Sequence, residues 1–355
     1  MGPYRIFTLA CFRQFGIGTS RFEEPISKES TYLIEELANT NGKAVDLTWY
    51  FNNAVSNIIS KVVFGTRFEF SDERIHRLTN LLNRLNELLG SGGLEIFLPI
   101  NIPSKAKQEL DKVADELLAF INSMIESHRK NFDTDNLNDL IDLWLNEIRL
   151  HKSDDRNSFR HPDNMAGQML LFFLGGTDTT SNTLRWGSQY LVRYPEVQDR
   201  IHREIDTVVG RNRLPKLDDK MDLPYTQAVI AELHRMISLF PLSAFHVAGD
   251  MTTFRGYTIP KNSVVVSNLY AVMHSPKIWG DPEEFRPERF LDDDGNCRET
   301  DELVPFGIGM YSNVSKASSA VILYVAQYQH KLNQEGMLRC SLAFIQDHSS
   351  VTKGL

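Results

Sequence analysis

Between Pro162 and Pro195 the chain carries its longest helical pattern, and its centre, around Met169 to Leu174, is apolar on nearly every side. A helix apolar all round has to be buried, so the remainder of the chain must supply helices to enclose it. The spacing predicts that this helix opens at Asp163, just after Pro162, and stops before Pro195. Enclosing helices are legible upstream. From Ser30 to Arg129 apolar residues recur at three and four, in the series Tyr32, Leu33, Leu37, then Val55, Ile58, Ile59, Val62, then Leu78, Leu81, Leu85, Leu88. Asn41-Gly42, Ser91-Gly92-Gly93, Pro99 and Pro103 mark turns between them.

Beyond that block the pattern loosens. Residues 131–162 are polar around a short apolar patch, Leu140 to Leu145, and read as a connecting region. A second helix is predicted over Tyr225 to Ile237, where Pro224 is pre-organised for the first turn. Phe254 to Val266 alternates around a Gly and a Pro and predicts two short strands. Asp281 to Glu302, rich in Pro and Asp, reads as a long ordered loop. The fold class expected is mainly α with a small β region.

With 355 residues and 42% hydrophobic content the chain is able to bury a large core, which excludes disorder and small disulfide scaffolds. Thirty-eight basic against 46 acidic residues, a formal charge of −8, give no electrostatic footprint for nucleic acid. Cys11, Cys297 and Cys340 are too few for a disulfide framework and too scattered for a metal cluster. No apolar run approaches the roughly 20 residues of a membrane-spanning helix, and the opening residues lack a secretory pattern.

Gly175-Gly176-Thr177-Asp178-Thr179-Thr180 interrupts the centre of the long helix, at a cost of about 1 kcal/mol per glycine relative to alanine. Two explanations stand. Glycines let a flat ligand approach the backbone, with Asp178 and Thr179 forming a buried acid–hydroxyl pair suited to moving protons. Alternatively the glycines kink the helix and the threonines bond back to the preceding turn. Glu232 and Arg235, three apart, share a face and interrupt an otherwise apolar helix; on a solvated surface such a pair is worth little. Phe285-Arg286-Pro287-Glu288-Arg289-Phe290 sets arginines among aromatics and prolines.

Taken in order, Gly-Gly-Thr-Asp-Thr-Thr, Glu-Leu-His-Arg, Phe-Arg-Pro-Glu-Arg-Phe and Pro305-Phe306-Gly307-Ile308-Gly309 resemble the haem-thiolate monooxygenases, the cytochrome P-450 family, in its animal microsomal family 2 type. The resemblance covers roughly Arg5 to Gly309 and implies a haem b cofactor, an NADPH-cytochrome reductase as electron donor, a lipophilic small-molecule substrate, and the endoplasmic-reticulum membrane. It implies that Gly175, Gly176, Asp178 and Thr179 are the oxygen-activation motif, with Asp178 and Thr179 as the catalytic pair. Glu232, Arg235 and Arg289 would form a buried network, and Ser243, Ala244 and Phe245 would line the substrate pocket. His246 and Arg5 would meet haem propionates, although Phe245 stands where the family usually has proline. Phe306, Gly307 and Gly309 would open the haem-binding loop.

The likeness then breaks. The family loop continues F-x-x-G-x-R-x-C-x-G, whereas here Tyr311 replaces the arginine, Asn313 the iron-ligating cysteine and Ser315 the glycine. An amide does not donate charge to iron as a thiolate does, so the sequence predicts no metal ligand at this position, impaired haem retention and impaired catalysis. The alternative expected is a non-catalytic product acting, if at all, through interactions. The divergence persists to the end, giving an expected partial domain over 1–309 and a divergent tail over 310–355. Its uncharged stretch Ala320 to Ala326 is β-prone and would promote association if exposed. The resemblance also implies that the family's anchor and first sheet lie upstream of Gly2-Pro3-Tyr4, which predicts a cytosolic or degraded fate for an anchorless chain.

Overall fold

A computed structural model describes residues 3–17, 19–41, 43–91 and 105–307. It divides into two compact units, Met1–Asn41 with Val45–Asn182, and Gly42–Ala44 with Thr183–Leu355. The class is the expected one: helices dominate and four strands are two or three residues long.

The first unit is a helical bundle of α1 (Pro3–Gln14), α2 (Glu23–Ala38), α3 (Leu47–Phe64), α4 (Glu73–Ser91), α5 (Lys105–Lys130), α6 (Leu140–His151) and the first part of α7 (Met165–Arg193). Of the predicted series, Leu78, Leu85 and Leu88 of α4 enter the core while Leu81 is only partly buried; Leu82, then Leu117, Ile121 and Ile125 of α5, and Met165, Met169 and Phe173 of α7 join the same core. Phe64 stacks on Phe173 at 5.6 Å. No helix among the described residues is long and apolar enough to cross a membrane.

Two local expectations are corrected. The patch Leu140 to Leu145 is not part of a connecting region but opens α6, because Asp139 caps it: Asp142 N–H donates to Asp139 Oδ1 at 2.9 Å. That capped turn brings Leu140, Ile141 and Trp144 fully into the core. The long helix is entered through a 3-10 turn, Pro162–Asn164, whose cap is His161 rather than Asp163: the Asp163 N–H donates to His161 Nδ1 at 3.3 Å.

Asp139 does more than cap. Its Oδ2 accepts from His128 Nε2 at 2.8 Å, while His128 Nδ1 donates to the Met124 carbonyl at 2.8 Å. The same carboxylate lies over Gly65, where α3 ends in the left-handed region at φ 66°, and a Cβ there would stand 2.7 Å from Asp139 Oδ2. One buried carboxylate therefore fixes the ends of α3 and α5 and the start of α6. A second polar cluster ties α2 to α3: Glu29 accepts from Asn57 at 3.0 Å and from Arg67 at 2.7 Å, and Asn57 pairs both ways with the Phe68 backbone.

The second unit holds α8 (Pro195–Val208), α9 (Pro224–Ile237), α10 (Leu269–Met273), α11 (Pro276–Trp279) and strands β1 (His246–Val247), β2 (Thr252–Phe254), β3 (Tyr257–Ile259) and β4 (Val264–Val265). Alternation around Gly256 and Pro260 predicts two strands over 254–266; the structure makes a β2–β3 hairpin and pairs β4 with β1 instead, His246 opposite Val265 and Val247 opposite Val264. The start of α9 lacks a capping side chain of its own and borrows one from α8. Glu204 accepts from the backbone N–H of Tyr225 and of Thr226, both at 2.8 Å, and from the Thr226 hydroxyl at 2.6 Å. The Pro-rich stretch 281–302 is ordered, as expected, around a 3-10 turn, Pro287–Phe290, and a bridge from Leu291 to Cys297.

The Asp139 carboxylate raises the His128 pKa to about 9 from 6.5, chiefly through the hydrogen bond between them. A raised folded-state pKa means that the pair's stabilisation is complete below about pH 6.5 and is lost as pH rises through about 9. The urea midpoint of the chain is therefore expected to fall from neutral pH to about pH 10, and His128→Gln to flatten that decline; an unchanged slope in the variant assigns the pH dependence elsewhere.

Candidate functional site

Glu232 lies on α9, one helical turn from its C-terminus, with no exposed surface, and Arg235 beside it is equally buried. The i, i+3 spacing alone brings the pair together, with Arg235 Nε donating to Glu232 Oε2 at 2.7 Å and Nη2 to Oε1 at 3.0 Å. The Pro-Arg-rich turn provides the third member: Arg289 Nε donates to Glu232 Oε1 at 3.1 Å, and the Arg286 backbone N–H donates to the same oxygen at 2.8 Å. The remaining guanidinium donors end on carbonyls. Arg235 reaches Met273 at 2.9 Å and Glu284 at 3.2 Å; Arg289 reaches Trp279 at 2.6 Å and Glu284 at 3.1 Å, with Asp281 Oδ1 at 2.7 Å. The Asp281 carboxyl is held below the usual carboxylate range, first by its hydrogen bond from Arg289. The surface-pair reading of Glu232 and Arg235 is thus excluded by burial, and the structure brings Glu232, Arg235 and Arg289 into one network.

On α7 the six-residue interruption causes no break; the helix is continuous from Met165 to Arg193. The two glycines do different jobs. A Cβ on Gly175 would meet nothing within 4 Å, whereas a Cβ on Gly176 would stand 2.5 Å from Ile59 Cδ1 of α3. Gly176 is therefore a close-packing residue, and Gly175 leaves an open helix face, continued one turn earlier by Leu171, 57% exposed. Thr179 and Asp178 are half-buried rather than buried, and they point apart by a helical step of about 100°. The Thr179 hydroxyl donates to the Gly175 carbonyl at 2.8 Å, the back-bonding alternative, while Asp178 Oδ1 accepts from Asn182 Nδ2 at 2.9 Å. Asn182 is a neighbour that motif reading passed over, though its position four residues on was the signal. Arg5 lies half-buried on α1.

In the second unit His246 is exposed on β1. Before it, Ser243 takes a left-handed backbone, φ 55°, and its hydroxyl accepts from the Ser267 N–H at 3.4 Å, placing Ser243, Ala244 and Phe245 beside the segment that forms β4. Phe306 packs by ring contacts against His234, at 5.8 Å, and Phe240, at 6.3 Å. His234 also escaped sequence reading. It is buried between Glu232 and Arg235 in sequence, its Nε2 has no hydrogen-bond partner among the described residues, and burial pushes its pKa down to about 4, so it is neutral at physiological pH. Gly307 turns the chain at φ 81°, its N–H donating to the Val304 carbonyl at 3.0 Å. Gly309 and Asn313 lie outside the described residues.

Removing one partner from the Glu232 network leaves buried charge uncompensated, so Glu232→Ala is expected to cost about 3 to 5 kcal/mol in chemical denaturation; the exposed Arg200–Glu288 pair sets the contrast, with Arg200→Ala costing under about 1 kcal/mol. Gly175→Ala is expected to stabilise by up to about 1 kcal/mol, and Gly176→Ala to destabilise by about 1 to 3 kcal/mol. Ile59→Val should recover part of the Gly176→Ala loss; additive effects in that double-mutant cycle would remove the packing explanation.

A family model described as Cytochrome P450 matches residues 4–311. Among curated proteins, the chain is similar to Cytochrome P450 2B19 of Mus musculus, 37% identical over 309 residues, covering 86% of this chain and 63% of that protein. It is likewise 37% identical to Cytochrome P450 2B2 of Rattus norvegicus over 309 residues, with the same coverage, and 36% identical to Cytochrome P450 2C23 of Rattus norvegicus over 326 residues, 90% of this chain and 66% of the relative. The chain thus spans about 63% of the length of the first two relatives. With its mainly helical fold and the match extending over most of its length, the chain belongs to the cytochrome P450 family, in the family 2 type.

Proposed function

We propose that this chain is a haem-monooxygenase scaffold in which thiolate oxygen activation has been lost. One feature of the structure suits a flat porphyrin-type ligand: the open helix face at Gly175. The iron ligand does not fit. Asn313 occupies its position in sequence, and the described cysteines are poor substitutes. Cys11 is buried in the first unit's core, its thiol pushed up to about 12 chiefly by burial, and the Cys297 thiol is also pushed up by burial. Neither is a thiolate near neutral pH, and that observation carries the reading, because only the thiolate ligates iron effectively. Asp178, held by Asn182, and Thr179, bonded to Gly175, have helix-internal partners.

On the family reading, the whole protein takes a lipophilic small molecule beside Ser243, Ala244 and Phe245, binds haem b with Arg5 and His246 near its propionates and Phe306, Gly307 and Gly309 in the loop, and receives electrons from an NADPH-cytochrome reductase at the endoplasmic-reticulum membrane. Residues 1–309 form the family part and 310–355 a tail of separate character. A non-catalytic role through interaction is the second reading, favoured by the exposed apolar side chains Phe240, Leu242 and Phe245.

The chain purified with supplied haem, reduced and exposed to carbon monoxide, is expected to show no thiolate-type Soret band, while Asn313→Cys gains one. A thiolate band from the unaltered chain overturns the proposal, and pyridine haemochrome quantification separates absent haem from haem held by another ligand.

A further inference from the structure

His128 and Asp139 meet where α5 gives way to α6, and a third titratable side chain closes on them. Asp142, in the first turn of α6, brings a carboxylate oxygen to within 4.8 Å of both the His128 imidazole and the Asp139 carboxylate. One imidazole nitrogen with two carboxylate oxygens is a donor mixture that zinc and its neighbours take.

The three side chains are oriented from behind. His128 Nδ1 donates to the Met124 carbonyl at 2.8 Å, which turns Nε2 toward the acids. Ligating histidines are held in this manner, by a backbone carbonyl on the other ring nitrogen. Each acid has one oxygen fixed by a backbone N–H: Asp139 Oδ1 accepts from Asp142 at 2.9 Å, and Asp142 Oδ2 from Asn138 at 3.1 Å. A second oxygen on each is left to ligate. Gly65 keeps the space beside Asp139 Oδ2 clear, since a Cβ there would stand 2.7 Å from that oxygen.

Charge is the independent signal. Among the described residues neither Asp139 nor Asp142 has an ion pair with lysine or arginine, and one imidazole faces both carboxylates. The His128 side chain is 15% exposed and that of Asp139 4%. The Asp142 carboxyl is pushed above its ordinary value, first by burial and further by the Asp139 charge. Two buried acids this close are costly without a cation, and a dication neutralises what a single shared proton leaves over. Its entry asks little of the backbone. Tetrahedral ligands of zinc lie about 3.4 Å apart, against the 2.8 Å that now separates Nε2 from Oδ2.

We propose that His128, Asp139 and Asp142 bind one divalent ion of zinc's class, with water in the fourth position where half-buried Asp142 opens the site to solvent. The ion takes the place of the proton between Nε2 and Oδ2, which passes to solvent, and clamps the end of α5 to the start of α6. The inference concerns the first unit alone and involves no haem, so it stands or falls apart from the function proposed above.

Zinc chloride, titrated calorimetrically into the full chain after chelator treatment and dialysis, is expected to bind at one equivalent with micromolar affinity or better. Asp142→Asn, which keeps size and hydrogen-bonding capacity at a half-buried position, is expected to weaken that step at least about ten-fold with unchanged circular dichroism. His161→Gln is expected to leave it intact, because His161 has only the exposed Asp163 beside it, at 3.7 Å. Ten-fold excess zinc over its dissociation constant is expected to raise the thermal midpoint of the unaltered chain by about 3 °C, and not that of Asp142→Asn. Absence of a one-equivalent step overturns the proposal, as does zinc binding by Asp142→Asn within about two-fold of the unaltered chain. Equal loss in His161→Gln, or calcium chloride binding as tightly as zinc, overturns it too, since a calcium site takes oxygen donors and has no use for the imidazole.

Discussion

One carboxylate organises the second unit. Glu232 receives two guanidinium groups and a backbone N–H, and the arginines that serve it spend their other donors on the carbonyls of Met273, Trp279 and Glu284. Irregular backbone tolerates burial only when its polar groups are satisfied. The Pro-rich stretch has few regular hydrogen bonds of its own, so the two arginines stand in for a ladder and weld it to α9. Desolvating three charges is costly; what the arrangement provides is a unique seating for a segment whose regular structure is confined to one 3-10 turn and an isolated bridge.

The first unit meets the same problem with a smaller device. Asp139 closes three helix termini by splitting its two oxygens between a backbone cap and the His128 imidazolium. Both units therefore place a fully buried acid where helices end, and in both the acid is fixed by charge-assisted bonds. Apolar packing defines the bundle's bulk; these acids define where its chain segments start and stop.

Much of this was legible in the sequence, for identifiable reasons. The α7 and α9 spans follow from apolar periodicity bounded by proline, and the α4 core from leucine spacing. The Glu232, Arg235 and Arg289 grouping came through resemblance rather than spacing, since nothing in an i, i+3 pair reveals burial. Short elements were less visible. Leu140 to Leu145 offers too few periods to distinguish a helix from a patch, and Asp139's second bond, to His128, reaches eleven residues away. The alternating stretch contains β3 and β4, whereas β1 and most of β2 precede it, and the β1–β4 pairing joins residues whose separation leaves no local trace. The opposite tasks of Gly175 and Gly176 depend on Ile59, which no local motif contains.

The self-sufficiency of the Glu232 cluster has an evolutionary corollary. Every donor and acceptor that holds it lies within residues 232–289, so none of its bonds requires a ligand or the segment beyond Gly307. Selection for folding alone would preserve these side chains while leaving position 313 free to drift. Architecture and chemistry are in this way separable, since the acid–arginine cluster seats its segment whether or not anything is bound nearby.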